Sequence, residues 1–240
     1  MNIFDKDIEK LIGKLASEKI VKLTEAGDVW ELVAKNPFLM ERDTKIELGG
    51  YPKQSINIIT ASSRLRDMQE QLKGGVYCIG DPKLLTGKEK HISFGKIVLL
   101  ETEDIEDSSW YDFTQAELIT DAGIRMKDIM LRQSPTHYNI NLRVSQNAYR
   151  SGFDAGFLGR TVYDAYTKMD RVRSATVIMI FGESRLYTEL LEIAEHIKEI
   201  TLTLNHIFDG INMDCGSCDL NEVCMEVEGL RELHKKNTKV

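Results

Sequence analysis

The sequence is short of several features that mark common functional classes. It has no basic surplus: 31 Lys and Arg stand against 38 Asp and Glu, a net charge of −7 and a pI near 5.4. Proteins that neutralise nucleic-acid phosphates need the opposite balance, so no nucleic-acid partner is expected. Long apolar runs are missing too. The longest, residues 97–100 and 175–181, fall far short of the roughly 20 residues that span a bilayer, so no membrane partner is expected either. No basic stretch precedes an apolar segment at the N-terminus, which predicts a cytoplasmic protein. The phosphate-binding Gly-x4-Gly-Lys-(Ser/Thr) loop, the His-Glu-x2-His pair and the Gly-x-Ser-x-Gly elbow are all absent. There is no internal repeat, low-complexity tract or long linker. Cysteine is scarce, at four residues.

What is present is ordinary for a globule. The chain has 240 residues, 42% hydrophobic and 29% charged, which excludes intrinsic disorder and provides enough material for a core without disulfides. Ile8, Leu11, Ile12, Leu15 and Ala16 follow helical spacing, and a helical segment is expected over residues 1–42, with a break at Asn36 and Pro37. β-rich runs follow at 55–60, 75–79, 96–100, 138–144 and 175–181. Two of them, 96–100 and 175–181, are nearly continuous apolar segments, as in strands covered on both faces. Between the runs, Leu118, Ala122, Met126, Ile129 and Met130 share a helical face, as do Leu186, Leu190, Ile193, Ile197 and Ile200. Ser145 stands where an N-cap belongs, and Gly152, Gly156 and Gly159 predict a break in the helix that follows. The expected fold is α/β or α+β, with a mixed sheet flanked by helices. Residues 43–205 would form its main domain, and a cysteine-bearing helical tail would occupy 206–240.

That tail carries the strongest chemical signal. Cys215, Cys218 and Cys224 are spaced C-x2-C-x5-C, and His234 lies ten positions beyond the last. In a reducing compartment such a cluster points to a metal rather than a disulfide. Thiolates are soft and select iron–sulfur clusters or zinc. Three cysteines leave a fourth position open to His234, to Cys78 or to an external ligand, and three cysteines with one histidine also make an accepted zinc set. Asp214, Asp219, Glu222, Glu226 and Glu228 surround the thiols, as they would on a solvated helix face.

Three further segments carry a family likeness. Ile46-Glu-Leu-Gly-Gly50, Asn141-Leu-Arg-Val-Ser145 and Thr176-Val-Ile-Met-Ile-Phe181, followed in that order by the cysteines, resemble the middle domain of acetyl-CoA synthase. That family is the β subunit of the CO dehydrogenase/acetyl-CoA synthase complex, and the likeness runs over residues 44–234. The family's cysteines read C-x2-C-x8-C-x9-C and hold a [4Fe-4S] cluster. Cys215, Cys218 and Cys224 match the first three across a shorter loop, and His234 stands where the family has its fourth cysteine.

The resemblance implies a small iron–sulfur protein with an accessory, electron-transfer or metal-site role in anaerobic CO or acetyl-CoA metabolism. It also implies a protein partner from that pathway or another redox protein. The family's nickel site needs a Cys-x-Cys segment, and this sequence has none. The family also binds coenzyme A with arginines, and the resemblance assigns Arg143 that role, within a possible patch with Arg125, Arg132, Arg150, Arg171 and Arg173. A non-catalytic interaction module with structural zinc in the same residues is the alternative.

Overall fold

A computed structural model describes residues 3–23, 28–68, 72–103, 123–134, 137–208, 218–227 and 230. Two sheets form its centre. The first has five strands in the order β1-β4-β9-β6-β3: Val21–Lys22 (β1), Ser55–Ser62 (β3), Gly75–Gly80 (β4), Phe94–Thr102 (β6) and Val172–Phe181 (β9). The second has four, in the order β5-β2-β8-β7: Thr44–Gly49 (β2), His91–Ile92 (β5), Ile129–Ser134 (β7) and His137–Ser145 (β8). Parallel and antiparallel neighbours are mixed. β3 runs parallel to β6, and β4 to β9, while β6 runs antiparallel to β9. The architecture is therefore α/β with mixed sheets and flanking helices.

The helices are α1 (Asp5–Leu15), α2 (Leu65–Met68), α3 (Gln146–Arg150), α4 (Ala155–Thr167), α5 (Leu186–Glu189), α6 (Leu191–Phe208) and α7 (Asn221–Glu226). β6 and the inner part of β9 are buried along their whole length, which explains why residues 96–100 and 175–181 are nearly all apolar. Helical spacing is equally well explained. Ile8, Leu11 and Leu15 of α1 enter the core, as do Leu186 of α5, Leu190 at the junction, and Ile193, Ile197 and Ile200 of α6. Each fully buried aliphatic side chain contributes about 1.5–3 kcal/mol.

Local chemistry sets the breaks. Ser145 Oγ accepts a hydrogen bond from Ala148 N at 3.1 Å and starts α3. Gly152, at φ +85°, then turns the chain, and Asp154 caps α4 by accepting from Phe157 N at 2.9 Å. α4 lies on the first sheet at Gly159, where an added Cβ would strike Val76 and Met179.

Two expectations need correction. Among the described residues of the first forty, helix covers only Asp5–Leu15; residues 31–36 are an extended strap along residues 125–131. Val33 N donates to Arg125 O at 2.7 Å and Lys127 N to Glu31 O at 2.8 Å. Asn36 then imitates a strand neighbour, its Nδ2 donating to Leu131 O at 2.7 Å and its Oδ1 accepting from Leu131 N at 3.1 Å. Tertiary partners for the backbone outweigh the segment's helix propensity.

The second correction concerns Ile129 and Met130, which lie in strand β7 rather than on a helix. Ile129 and Leu131 face one way and Met130 the other, and all three are buried, so a strand apolar on both faces imitates helical spacing. Leu118 and Ala122, from the same expected helix, lie outside the described residues.

Candidate functional site

The short helix α7 carries the part of the cysteine cluster that the structure describes. Asn221 N donates to Cys218 O at 3.1 Å, closing the turn that leads into the helix, and Cys224 N donates to Leu220 O at 3.0 Å. Val223, Val227 and Leu230 are buried and hold this segment against the core. Cys218 and Cys224 are both half-buried and neither is in a disulfide. The two thiols therefore flank the start of one helix. Cys215 and His234 lie outside the described residues. Among the described residues, no group of three His, Cys, Asp or Glu side chains is arranged to hold a metal ion.

Cys78 is placed elsewhere. It sits in β4 between Val21 of β1 and Met179 of β9, buried in the sheet, and burial pushes its thiol above the ordinary range. It packs as a small hydrophobe, inert and protonated.

Arg143 lies on β8 opposite Glu47 of β2. Its Nε stands 3.1 Å from Glu47 Oε1, and its Nη1 donates to Leu39 O at 3.3 Å. Glu47 is buried and also accepts from Asn141 Nδ2 at 2.8 Å. The arginine's charge is thus matched inside the sheet. Two family-like segments, residues 46–50 and 141–145, turn out to be adjacent rungs of one antiparallel ladder, and the third, residues 176–181, is the inner part of β9. Of the six arginines, Arg132 and Arg143 share a face of the second sheet, since Arg132 pairs with Asn141. Arg171 and Arg173 stand at the start of β9, beside Thr102 and Glu103 at the far end of β6. Arg132 and Arg143 therefore belong to one sheet and Arg173 to the other.

An unforeseen constellation lies where α1, α6 and α7 meet. Asp7 is 1% exposed, and both of its oxygens face His196 Nδ1, at 2.8 and 3.0 Å. The other ring nitrogen, Nε2, is buried without a hydrogen bond and lies 3.9 Å from Glu226 Oε2. Burial raises the Asp7 carboxyl above its ordinary value, against the opposing effect of His196. Asp5, beside it, accepts from Ser62 Oγ at 2.7 Å and is likewise raised by burial. These groups line a cleft of about 370 Å³ that also includes Lys6, Lys10 and Arg64. The three partners are 189 and 30 positions apart in sequence, so no spacing rule finds them. Glu226 is two residues beyond Cys224, so the dyad and the thiol-bearing helix border the same cleft.

No helix among the described residues is long and apolar enough to cross a membrane. No family model and no curated protein matches the chain.

Proposed function

We propose that this chain is a small iron–sulfur protein related to the middle domain of acetyl-CoA synthase. In this reading Cys215, Cys218 and Cys224 hold a [4Fe-4S]-type cluster, with His234 as fourth ligand, and the protein serves a redox or metal-site partner. The observation that carries the proposal is the placement of Cys218 and Cys224: unbridged, half-buried thiols on either side of the turn that opens α7. The donor chemistry fits, because thiolates on a short turn are the common ligands of iron–sulfur clusters. When bound, the cluster would supply one-electron chemistry or a Lewis-acidic iron.

The chain's own contribution is positioning. Val223, Val227 and Leu230 anchor the segment, and the acidic side chains Asp219, Glu222 and Glu226 border it. Negative charge near a cluster disfavours its reduction, so a low potential is expected from the neighbours. A histidine ligand works in the other direction, being neutral where cysteine is anionic. Arg143 is tied to Glu47, and coenzyme A binding through it is not part of the proposal.

Metal analysis of the full chain purified without oxygen tests the reading. Iron and inorganic sulfide in similar amounts, with a broad visible absorption band, is the expected result. A colourless protein with one zinc per chain would replace the cluster with structural zinc and the redox role with that of an interaction module.

A further inference from the structure

One ring nitrogen in the cleft where α1, α6 and α7 meet is left without a partner. Both oxygens of the buried Asp7 face His196 Nδ1, at 2.8 and 3.0 Å, so Nδ1 carries the proton and donates it to the carboxylate. The neutral ring then presents a bare lone pair at Nε2. That atom is buried, makes no hydrogen bond, and lies 3.9 Å from Glu226 Oε2.

Two acceptors thus face each other across a short gap, and they repel unless something positive stands between them. The gap is too long for a direct hydrogen bond. It is also shorter than the roughly 4.5 Å at which one water would bridge two acceptors. A metal ion about 2.0–2.2 Å from each donor would hold them about 3.4 Å apart, so a shift of roughly half an ångström closes the site. Glu226 can supply that shift, because its side chain is 63% exposed.

The surroundings favour a cation. The cleft measures about 370 Å³, and its one arginine, Arg64, is already engaged by Asp5 at 3.5 Å. Lys6 and Lys10 then stand against Asp7, Glu9 and Glu226, which leaves the acidic side in surplus. Asp7 also completes the arrangement typical of metal-binding histidines, in which the second ring nitrogen donates to a carboxylate that fixes the ring and raises its basicity. An imidazole beside a carboxylate selects ions such as zinc over magnesium or calcium.

We infer that His196 Nε2 and Glu226 together bind one divalent transition-metal ion of the zinc type, with Asp7 as the positioning residue that holds the imidazole. Two protein donors converge here among the described residues, so water or an incoming ligand from the cleft completes the shell and the ion stays exchangeable. The site shares no ligand with the cysteine cluster and does not depend on it.

The test is a zinc chloride titration of the ¹⁵N-labelled full chain at neutral pH, followed through the long-range ¹H–¹⁵N spectrum of its imidazoles. Loss of one set of signals in His196→Gln identifies that ring. Before zinc, His196 should be protonated at Nδ1 and bare at Nε2. Zinc should then shift Nε2 saturably while Nδ1 keeps its proton, and magnesium chloride should leave both unmoved. Glu226→Gln, at an exposed position, should weaken the zinc response roughly tenfold or more, and Asp7→Asn by about 10–100-fold. An Nε2 that carries a proton in the zinc-free chain and ignores zinc would overturn the inference, since a proton would then fill the gap. So would a response equal with magnesium, or one unchanged in both Glu226→Gln and Asp7→Asn, the pattern expected if zinc sits only on the thiols.

Discussion

Replacing Asp7 with alanine tests what its buried contact with His196 contributes to stability. The substitution removes both acceptors from His196 Nδ1, at 2.8 and 3.0 Å, in a place only 1% exposed. Losing a hydrogen bond with a charged partner costs about 1.5–3 kcal/mol, and leaving the ring N–H buried and unpaired adds about 1–3 kcal/mol. The expected loss is therefore about 3–5 kcal/mol, the range found when one member of a buried pair is removed. For a chain of this size that corresponds to a fall in melting temperature on the order of 10 °C. Asp7→Asn keeps an acceptor for Nδ1 and should lose less than about 1.5 kcal/mol.

The assay is urea unfolding followed by circular dichroism and by tryptophan fluorescence, since Trp30 packs edge-on against Phe153 and Phe157. His196→Ala, made alone and with Asp7→Ala, completes a double-mutant cycle, and the double variant should lose clearly less than the sum of the singles. The pH dependence has a definite sign. Burial raises the folded Asp7 carboxyl above its ordinary 3.8, so its stabilising contribution is complete below that value. It is lost as pH rises through the raised one. The stability of Asp7→Asn relative to wild type should therefore improve from acid toward neutral pH. An Asp7→Ala variant within about 0.5 kcal/mol of wild type, or single losses that simply add, would refute the reasoning.

Gly159→Ala should destabilise by about 1–3 kcal/mol in the same unfolding assay, because the added methyl meets Val76 and Met179 where α4 lies on the sheet. A neutral outcome would mean that the helix packs less closely there. Ser145→Ala removes the cap of α3 and should cost about 1 kcal/mol, while Ser145→Asp should restore most of it; equal losses in both variants would show that the Ala148 bond is not the cause.

Much of the fold was legible because its signals are local. Ser145 and Gly152 set breaks that depend on one hydrogen bond or one positive φ. The apolar runs of β6 and β9 were readable because strands covered on both faces leave no polar alternation. The strap at residues 31–36 was not legible. Its extended form depends on backbone partners nearly a hundred residues away, and its own propensity points to helix. β7 is obscure for a related reason, since a strand buried on both faces has no distinctive period.

The same division applies to the sites. The cysteine cluster is contiguous and announces itself through spacing. Asp7, His196 and Glu226 meet only after three helices pack. Cys78 looked like a possible ligand in sequence, and its place inside β4 makes it part of the core.

The most direct test of the account is the amount of iron and acid-labile sulfide retained after reconstitution under argon, compared between the intact chain and its Cys218→Ser and Cys224→Ser variants. The account predicts both elements in the intact chain, in similar amounts, and a loss of most of each in either variant while the unfolding curve stays close to wild type. Intact protein that retains no sulfide, or serine variants that retain as much as the parent, would contradict it.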